Sequence, residues 1–573
     1  MEGVPRQLVP ALVAALLGAA GGASCGGGEP TEPPPPPDPS DQLFDPSRVI
    51  DVVVTMAPED WNALRVETRT IEDIFFGADC LDAPFPDPFD YFHADVTVDG
   101  ETAPDVGIRK KGFLGSLDED KPSLKLKFDE FVDGGALFGL ARVTLNNSKQ
   151  DASYVHQCLA YELFADAGLP APRCNFARVI VNGEDLGLYV NVESVDKRFL
   201  GRWFADDGGD LWEGTLSDFT PEWDGTFEKK TNESNPDRSA IDAVVAAAMA
   251  PDAELEAALG AVIDLDEFIR FWAVEVLLQH WDGYAGNENN FFVYGEPGSG
   301  VFTFLPWGAD QVFAPSTPAA PGEPPRSVYA TGALAWRLYR NPATQPLYAA
   351  ALDALLAGPW DEGALLAELD RMEALITPVA DPDGTAGLAA SIDGVRAFVS
   401  TRRGILLDEW GNGAPPWDQP LRAPICFNVV GDAAATFDTT FGTIGGPNPF
   451  VGAGTLTGTV MGAPVVTAMV GALSGWDPDA PASPTAQVQV VAQLDDGTID
   501  VAVMGVAPGL FVAGAVLPVD WVNVTGGIFN FDPATGAGVL IGYFLDGQIV
   551  LDEASTTDGA TVRGSMTGTL VSF

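Results

Sequence analysis

The stretch from residue 280 to residue 310, HWDGYAGNENNFFVYGEPGSGVFTFLPWGAD, decides how the sequence is interpreted. It opens with HWD, reaches Asn287 after four residues that follow Asp282, and closes with PWGAD, which ends at Asp310. Phosphoryl-transfer enzymes place a carboxylate near the attacking hydroxyl, and an Asn and a second Asp hold Mg²⁺ on the phosphates. The order of these three groups therefore predicts phosphoryl-transfer chemistry. The alternative is that Asp282 and Asn287 only make hydrogen bonds within turns.

The residues between these groups predict a β-hairpin. Residues 290–294 and 301–305 are rich in aromatic and β-branched side chains, and a Pro- and Gly-containing turn at 296–300 separates them. We therefore expect Asp282 and Asp310 to flank a rigid pair of strands.

The composition limits the classes of partner. A chain of 573 residues is expected to form two or three domains. It has 81 acidic and 30 basic residues, a formal charge of -51. Such a surface repels nucleic acid and anionic membranes at long range, so neither is an expected partner.

The N-terminus predicts export. Residues 1–24 contain Arg6 and a short apolar run typical of a signal peptide. The residues before Cys25 resemble a bacterial lipoprotein processing box, which predicts lipidation of Cys25; cleavage by an ordinary peptidase is the alternative. Residues 25–42 predict a Pro-rich tether. We therefore expect a protein of the bacterial cell envelope that contacts the membrane only through an N-terminal lipid anchor.

The remaining cysteines predict disulfides, because exported proteins fold in oxidising compartments. They are Cys80, Cys158, Cys174 and Cys426. Cys158 could pair with Cys174, with Cys80 as the competing partner, and the connectivity stays open. The absence of a C-x-x-C pair and the presence of only three His residues argue against a zinc site.

Residues 413–573 predict a separate all-β domain, a sandwich or a barrel. Only Arg422 and Arg563 are basic there, and strand-like runs alternate with turn residues. We found no catalytic constellation in this region. Aromatic residues such as Trp476, Trp521 and Phe529 leave glycan binding as a further hypothesis.

Residues 43–204 predict strands, one helix and a hairpin. The alternation in residues 123–128 places Lys125 and Lys127 on one strand face. Asp151 and Gly168 suit the two ends of the following helix, and Glu162 projects from its apolar stripe. A buried carboxylate needs a cation, so we expect Glu162 to pair with Lys125 or Lys127, as kinases fix their phosphate-binding Lys. A solvated strand face and a wet helix edge are the alternatives.

Residues of roughly 45–410 resemble the CotH (spore-coat protein H) kinase family, whose members are similar to atypical secreted protein kinases. The matching motifs are RKKG at 109–112 with Ser116, SLKLKF at 123–128, LNN at 145–147 with Asp151, YELF at 161–164, VNGE at 181–184 with Gly187 and Tyr189, Glu193 with Asp196, Asp282 with Asn287, and Pro306-Trp307 with Asp310.

The resemblance implies an α+β fold, an atypical protein-kinase-like two-lobed domain followed by the all-β domain. The small lobe would be residues 43–204 and the mostly helical large lobe residues 205–412. The implied activity is ATP- and Mg²⁺-dependent (or Mn²⁺-dependent) phosphorylation of Ser or Thr on an exported protein.

The implied site combines the resemblance with the patterns described above. Asp282 is expected to be the base, Lys125 to contact the phosphates with Glu162 holding it, and Asn287 and Asp310 to bind the metal. The further expected nucleotide contacts are Arg109, Lys111, Ser116, Lys127 and Glu193.

One position departs from the family pattern. The usual Pro-Trp-Asp-x-Asp is Pro-Trp-Gly-Ala-Asp here, so Gly308 replaces a carboxylate. If the second acid is the metal ligand, Asp310 retains the chemistry, and if the first is, catalysis fails. Glu288 and Asn289 are candidate substitute ligands. The alternative function is a catalytically weak or inactive kinase-fold lipoprotein that acts as a surface structural or binding protein.

Overall fold

A computed structural model describes residues 38–572 except residues 78, 315–323, 385–386, 479–483, 521–522 and 536. The predicted signal peptide, Cys25, Trp521 and most of the predicted tether lie outside the described residues. The end of the tether segment runs into a 3₁₀ helix, Pro39–Phe44, whose Leu43 and Phe44 are buried.

The first part of the chain forms a closed β-barrel with strand order β1-β2-β3-β4-β5-β7-β6. The neighbouring strands are antiparallel except β1 and β6, which are parallel. The strands are β1 Val49–Met56, β2 Phe92–Val98, β3 Glu101–Lys111, β4 Ser123–Lys127, β5 Arg142–Asn146, β6 Cys174–Val181 and β7 Glu184–Val192. Helices α1 (Pro58–Val66) and α2 (Glu72–Phe75) lie between β1 and β2.

The predicted alternation in β4 is confirmed. Leu124, Leu126 and Phe128 are buried in the barrel core. Because side chains alternate along a strand, Lys125 and Lys127 lie on the opposite face. The barrel core therefore fixes the direction in which β4 presents its lysines.

The helix after β5 begins later than the sequence pattern suggested. Helix α3 is His156–Asp166, with Val155 at its N-cap position. The Asp151 carboxylate instead accepts hydrogen bonds from the backbone N–H groups of Ser153 and His156 at 2.9 and 3.0 Å. Asp151 thus stabilises the turn before the helix.

The middle of the chain is mainly helical and packs on a small four-stranded sheet of order β11-β10-β8-β9. The strands are β8 Asp210–Gly214, β9 Glu228–Lys229, β10 Phe291–Gly295 and β11 Phe302–Pro306. The helices are α4 Lys197–Trp203, α5 Ser239–Ala248, α6 Leu255–Gly260, α7 Leu265–Leu278, α8 Tyr284–Asn287, α9 Ala333–Arg340, α10 Gln345–Ala357, α11 Glu362–Ala380 and α12 Leu388–Trp410. The α+β class and the β10–β11 hairpin are confirmed. In the described ranges, no helix combines the length and apolar character needed to cross a membrane.

The C-terminal region is β-rich, as predicted. Its described strands form one 11-stranded sheet that curves into a half-barrel, where the sequence predicted a sandwich or a barrel. The strands are β12 Asn428–Thr440, β13 Ala453–Val460, β14 Ala463–Pro464, β15 Thr467–Trp476, β16 Ala486–Leu494, β17 Ile499–Val506, β18 Ala515–Pro518, β19 Val524–Phe531, β20 Gly538–Phe544, β21 Gln548–Glu553 and β22 Thr561–Ser572.

The described residues contain two disulfides, as the even number of cysteines after Cys25 predicted. Cys158 pairs with Cys174, which was one of the open pairings, and Cys80 pairs with Cys426. The second bond spans 346 residues of sequence and joins the loop after α2 to the segment before β12. The N-terminal and C-terminal parts of the chain are therefore covalently connected beside the cavity described next.

Candidate active site

A cavity of about 510 Å³ lies between the barrel and the helical part of the chain. Strands β3, β4 and β5 line one side, and the loop before β10 and the end of β11 line the other. Asp282 and Asp310 both line this cavity. The predicted site residues that it brings together are Arg109, Lys111, Ser116, Lys125, Asp282, Asn287 and Asp310.

The charge of the cavity differs from that of the rest of the protein. Seven of the 30 basic residues of the chain line it, but only five of the 81 acidic residues do so. The basic residues are Arg69, Arg109, Lys111, Lys125, Arg142, Lys230 and Arg422. A net positive cavity in a protein of formal charge -51 is suited to an anionic ligand.

The carboxylate of Asp282 is held by three asparagine side chains. Its Oδ1 accepts hydrogen bonds from the Nδ2 atoms of Asn287 at 2.7 Å and Asn289 at 3.2 Å, and its Oδ2 accepts one from Asn290 at 2.7 Å. Burial raises the pKa of Asp282, and these three amides oppose that rise. The amides fix the orientation of the carboxylate and favour its ionised form.

The Asp282 loop is positioned by a buried carboxylate on helix α7. Glu275 accepts hydrogen bonds from the backbone N–H groups of Tyr284 and Ala285, both at 2.9 Å. Burial raises the pKa of Glu275 to about 8. A Cβ at Gly283 would lie 2.2 Å from Glu275 Oε1, so only glycine allows the loop to approach this carboxylate so closely. Glu275 therefore acts as the anchor of the short helix α8, which ends at Asn287.

We expect Glu275→Gln to lower both stability and turnover. The amide nitrogen would face a backbone N–H group, which leaves a buried donor unpaired at a cost of about 1–3 kcal/mol. A shift of Asp282 and Asn287 of about 1 Å would reduce kcat by about 100-fold. Urea unfolding and steady-state kinetics measure the two effects.

Glu267→Gln is the matched control, because Glu267 is another buried carboxylate of α7 and accepts a hydrogen bond from Phe304 N–H at 3.0 Å, outside the cavity lining. This control should lose stability with much less loss of kcat. Equal kcat in the two variants would contradict the anchoring role of Glu275.

Asp310 follows strand β11, and its carboxylate lies close enough to that of Asp282 for the two charges to interact. Burial and the Asp282 carboxylate raise the pKa of Asp310 to about 7, and Lys111 opposes the rise. The backbone carbonyl of Asp310 accepts a hydrogen bond from His156 Nδ1 at 2.7 Å when that nitrogen is protonated. Within the described residues, no side chain donates a hydrogen bond to the Asp310 carboxylate. It is thus available to a ligand, whereas three asparagine amides already bind the Asp282 carboxylate.

Gly308 cannot be exchanged for a larger residue without local change. Its φ of +53° lies in the left-handed region, and a Cβ would lie 2.3 Å from Asn290 Oδ1. The Asn290 side chain therefore occupies the space into which a side chain at position 308 would project. The same Asn290 amide donates to Asp282.

Two lysines extend from the barrel into the cavity. Lys111 Nζ donates to Asn146 Oδ1 at 2.5 Å and lies 5.7 Å from the centre of the Trp307 ring. Burial lowers the pKa of Lys111 to about 8. Burial, and then the positive charges of Arg109 and Lys230, lower the pKa of Lys125 to about 7. Asp310 and Glu213 oppose the fall in the pKa of Lys111, and Glu213 opposes that of Lys125, but burial outweighs them at both amines.

The predicted pair between Lys125 and Glu162 is not formed. Glu162 is exposed on α3, and the cation near it is Arg371. Helix α3 is buried from Gln157 to Tyr161 and again at Leu163 and Phe164, so it has no narrow apolar stripe whose centre could be located from the sequence. The carboxylate that acts on Lys125 belongs to Glu213 of β8, which also pairs with Lys230 at 3.1 Å.

Two other predicted nucleotide contacts have different partners. Lys127 pairs with Glu130 at 2.5 Å and does not line the cavity. The Glu193 side chain is 2% exposed and forms ion pairs with Arg173 at 2.7 Å and with Arg202. Its neighbours Ser194 and Val195 do line the cavity, so the chain at this point borders the site without the Glu193 carboxylate.

The candidate substitute ligands are also engaged elsewhere. Glu288 is buried and pairs with Arg422 at 2.5 Å. Asn289 donates to Asp282, and its Oδ1 accepts from the backbone N–H of Leu216 at 3.2 Å. Neither residue compensates for the missing carboxylate at Gly308.

Sequence reasoning missed Glu213, Lys230, Asn290 and Arg422 as cavity residues. Asn290 stands three residues after Asn287, and the NENN run could have indicated a cluster of amides. Arg422 is one of two basic residues after residue 413. Their scarcity was used to predict a domain boundary and not to predict a site residue. The short strand β8 gives no comparable signal for Glu213.

The donor set fits a hard divalent cation that binds together with phosphate. In the part of the chain that the structure covers, no group of three or more His, Cys, Asp or Glu side chains is placed to hold a metal ion. Mg²⁺ usually takes one or two carboxylates and completes its shell with water and substrate phosphates. Asp310, with its free carboxylate beside Asp282, meets that requirement.

Comparison with known proteins finds one matching family and one curated relative. The family described as CotH kinase protein matches residues 108–406. The inner spore coat protein H of Bacillus subtilis (strain 168) is 26% identical over 183 residues, which cover 30% of this chain and 50% of that protein. The chain thus spans about half the length of this curated relative.

Proposed function

Because the chain belongs to the CotH kinase protein family, we propose that it transfers the γ-phosphoryl group of ATP to Ser or Thr hydroxyls of an exported or surface protein. The observation that carries this proposal is the concentration of basic residues around Asp282 and Asp310 in an otherwise strongly acidic protein. A triphosphate brings several negative charges, and such a cavity would balance them.

We assign the role of base to Asp282. A carboxylate has about four acceptor positions, and two on Oδ1 and one on Oδ2 are used by asparagine amides. The remaining position on Oδ2 can accept the proton of a substrate hydroxyl. The fixed amides hold the carboxylate in one orientation, so it orients the hydroxyl without first losing a solvent shell.

Asp310 is the proposed metal ligand, and Lys111, Lys125 and Arg109 are the proposed phosphate contacts. The side-chain oxygen of Asn287, the predicted second ligand, accepts a hydrogen bond from Arg422 Nη1 at 2.8 Å. When bound, Mg²⁺ or Mn²⁺ would neutralise phosphate charge as the bond to the leaving group lengthens. The lysines lie on the opposite side of the cavity from Asp282, so they would hold the phosphates while Asp282 orients the hydroxyl. Ser116 and the Gly112–Gly115 loop would approach the phosphates from the barrel.

The proposed organisation is that of an atypical two-lobed kinase. The small lobe is the barrel part, residues 43–204, the large lobe is residues 205–412, and residues 413–573 are the β-rich addition. Ser194 and Val195 would border the adenine. The name of the relative indicates a surface structure, which supports export, and we propose lipid anchoring at Cys25 to the cell envelope.

The direct test uses the purified chain without residues 1–24, labelled ATP, Mg²⁺ or Mn²⁺, and a generic Ser- and Thr-containing protein. We expect label on Ser or Thr that depends on the divalent cation. ATP binding without transfer under these conditions would favour the alternative, a kinase-fold lipoprotein that binds a partner at the surface. The observation behind that alternative is that Gly308 stands where the family pattern has a carboxylate. Failure to bind ATP would contradict the kinase proposal and would leave the alternative standing.

We expect nucleotide binding to be coupled to proton uptake. Lys125, with its pKa near 7 in the empty cavity, is largely neutral at pH 8, and a bound polyphosphate would restore its charge. Affinity should therefore fall as the pH rises above about 7. Calorimetric titration with AMP-PNP in buffers of different ionisation enthalpy measures the uptake.

Lys125→Arg is the control for this prediction, because a guanidinium keeps its charge at pH 8. This variant should take up about one proton fewer than the wild type. Equal uptake in both proteins would show that Lys125 does not contact the nucleotide.

A further inference from the structure

Arg422 reaches the active site from outside the part of the chain that matches the family. It follows residues 108–406 and precedes the first C-terminal strand. Its Nη1 donates to Oδ1 of Asn287 at 2.8 Å, to the carbonyl of Asn287 at 3.1 Å and to Glu288 Oε2 at 2.5 Å. Arg422 also lines the cavity.

Several contacts hold Arg422 in this place. Its guanidinium lies 5.0 Å from the centre of the Trp223 ring, and its carbonyl accepts a hydrogen bond from Trp223 Nε1 at 3.4 Å. Four residues later, Cys426 is bonded to Cys80, and Phe427 N–H donates to the carbonyl of Phe75 at 2.5 Å. The guanidinium is thus a fixed charge and not a mobile surface group.

The position of this charge has a counterpart in protein kinases. Those enzymes use two Mg²⁺ ions, one of which is held by the Asn of the catalytic loop. Here the side-chain amide oxygen of the corresponding residue, Asn287, already accepts a hydrogen bond from a guanidinium. On the basis of the function proposed above, we infer that Arg422 takes the place of the second divalent cation, so that the site works with one metal ion at Asp310.

The loss of a carboxylate at Gly308 points in the same direction. A site for two divalent cations needs more negative ligands than a site for one, and this chain has one carboxylate fewer than the family pattern. The space is filled by the neutral Asn290 side chain. The site thus has one carboxylate fewer, at Gly308, and one fixed cation more, at Arg422. Both differences are consistent with a guanidinium in the place of one metal ion.

Arg422 is also chemically suited to this role. Among the described residues, its hydrogen bonds to side chains all come from Nη1, which leaves its other guanidinium N–H groups available to phosphate oxygens. A guanidinium presents a planar set of donors that binds phosphate at two points. Arg422 would therefore bridge Asn287 and the nucleotide, as the second metal ion does in kinases.

The test counts the Mn²⁺ ions bound to the full mature chain with saturating AMP-PNP, by electron paramagnetic resonance. We expect one tightly bound Mn²⁺ per wild-type chain, and two would overturn the inference. This count does not depend on turnover. It therefore remains decisive if the wild type transfers no phosphate, which would reject the proposed function alone.

Substitution of Arg422 provides the second measurement. Arg422→Ala should lower kcat by about 100-fold, the effect of losing one fixed charge at the transition state. Added guanidinium ion should recover part of that loss. Arg563→Ala is the control, because Arg563 is the other basic residue after position 413 and lies in an exposed ion pair with Asp438 and Glu553. It should leave kcat unchanged.

A purely structural role is distinguished by a double variant. Arg422→Ala leaves the buried Glu288 carboxylate without its cation and should lower Tm. Adding Glu288→Gln removes that buried charge and should restore most of the Tm while kcat stays low. Recovery of wild-type kcat in the double variant would overturn the inference, since Arg422 would then serve only to neutralise Glu288.

Discussion

Asp310→Asn is expected to abolish phosphoryl transfer while the fold is retained or stabilised. The substitution keeps the shape of the side chain but removes the carboxylate that we assign to the metal. We expect kcat to fall by at least about 1000-fold, because the charge of the metal–phosphate complex would lose its fixed ligand. Transfer of ³²P from labelled ATP at saturating Mg²⁺ measures this loss.

The stability of this variant has a defined pH dependence. The pKa of Asp310 is raised to about 7, so the folded protein binds a proton more tightly there than the unfolded chain does. In EDTA, wild-type stability should therefore decrease as the pH rises from the usual Asp pKa of about 4 towards 7. Asp310→Asn should lack this component and be at least as stable as the wild type at pH 8. Urea unfolding at several pH values tests the expectation.

Asp393→Asn is the control for Asp310→Asn, because Asp393 is an exposed aspartate on helix α12. It should retain full activity. Full activity in Asp310→Asn would reject the assignment of Asp310, and a large loss of stability would reject the account of its raised pKa.

Gly308→Asp is expected to lower activity, although it restores the usual family motif. The new Cβ would lie 2.3 Å from Asn290 Oδ1, and the backbone there has a φ of +53°. A side chain in this conformation costs about 1–3 kcal/mol. Displacement of Asn290 would also remove one of the three amides that hold Asp282. We expect a lower Tm and a kcat reduced by about 10- to 100-fold.

Two further variants separate the clash from the charge. Gly308→Ala should show a similar loss, because it has the same Cβ contact without a carboxylate. Combining Gly308→Asp with Asn290→Gly should recover the part of the Tm that is lost to the clash, because the space is then free. Activity above the wild type in Gly308→Asp alone would contradict this description of the site.

The central segment could be understood from sequence because its signals are local. The β10–β11 hairpin has aromatic strands and a strong turn, and the residues at its two ends, Asp282 and Asp310, meet in one cavity. The alternation of β4 likewise fixed which side of the strand carries Lys125. In both cases the information lies within a few consecutive residues.

The Lys125 partner could not be predicted because its position depends on tertiary packing. Helix α3 is buried on nearly all sides, so the helical wheel gave no reliable inward direction for Glu162. Glu213 reaches Lys125 because β8 joins the small sheet beside β10, a contact between segments far apart in sequence. A short strand of five residues carries no pattern that reveals this.

Arg422 illustrates the same limit at longer range. The sequence shows that Arg422 stands in a region with almost no basic residues, but it does not show which part of the fold Arg422 contacts. The disulfide between Cys80 and Cys426 holds the linker beside the cavity, although the two cysteines are 346 residues apart in sequence. The four cysteines allowed several pairings, so the sequence did not reveal this bond. Composition marked the boundary near residue 413 without showing that the linker there returns to the active site.

The central claim is that Asp282 and Asp310 face one nucleotide-binding cavity together with Lys111 and Lys125. The most direct measurement is the anomalous diffraction of a crystal grown with Mn²⁺ and AMP-PNP. We predict a single Mn²⁺ peak within coordination distance of the Asp310 carboxylate, with the phosphates between Asp282 and the two lysines. A nucleotide bound elsewhere, or a Mn²⁺ peak remote from Asp310, would contradict the claim.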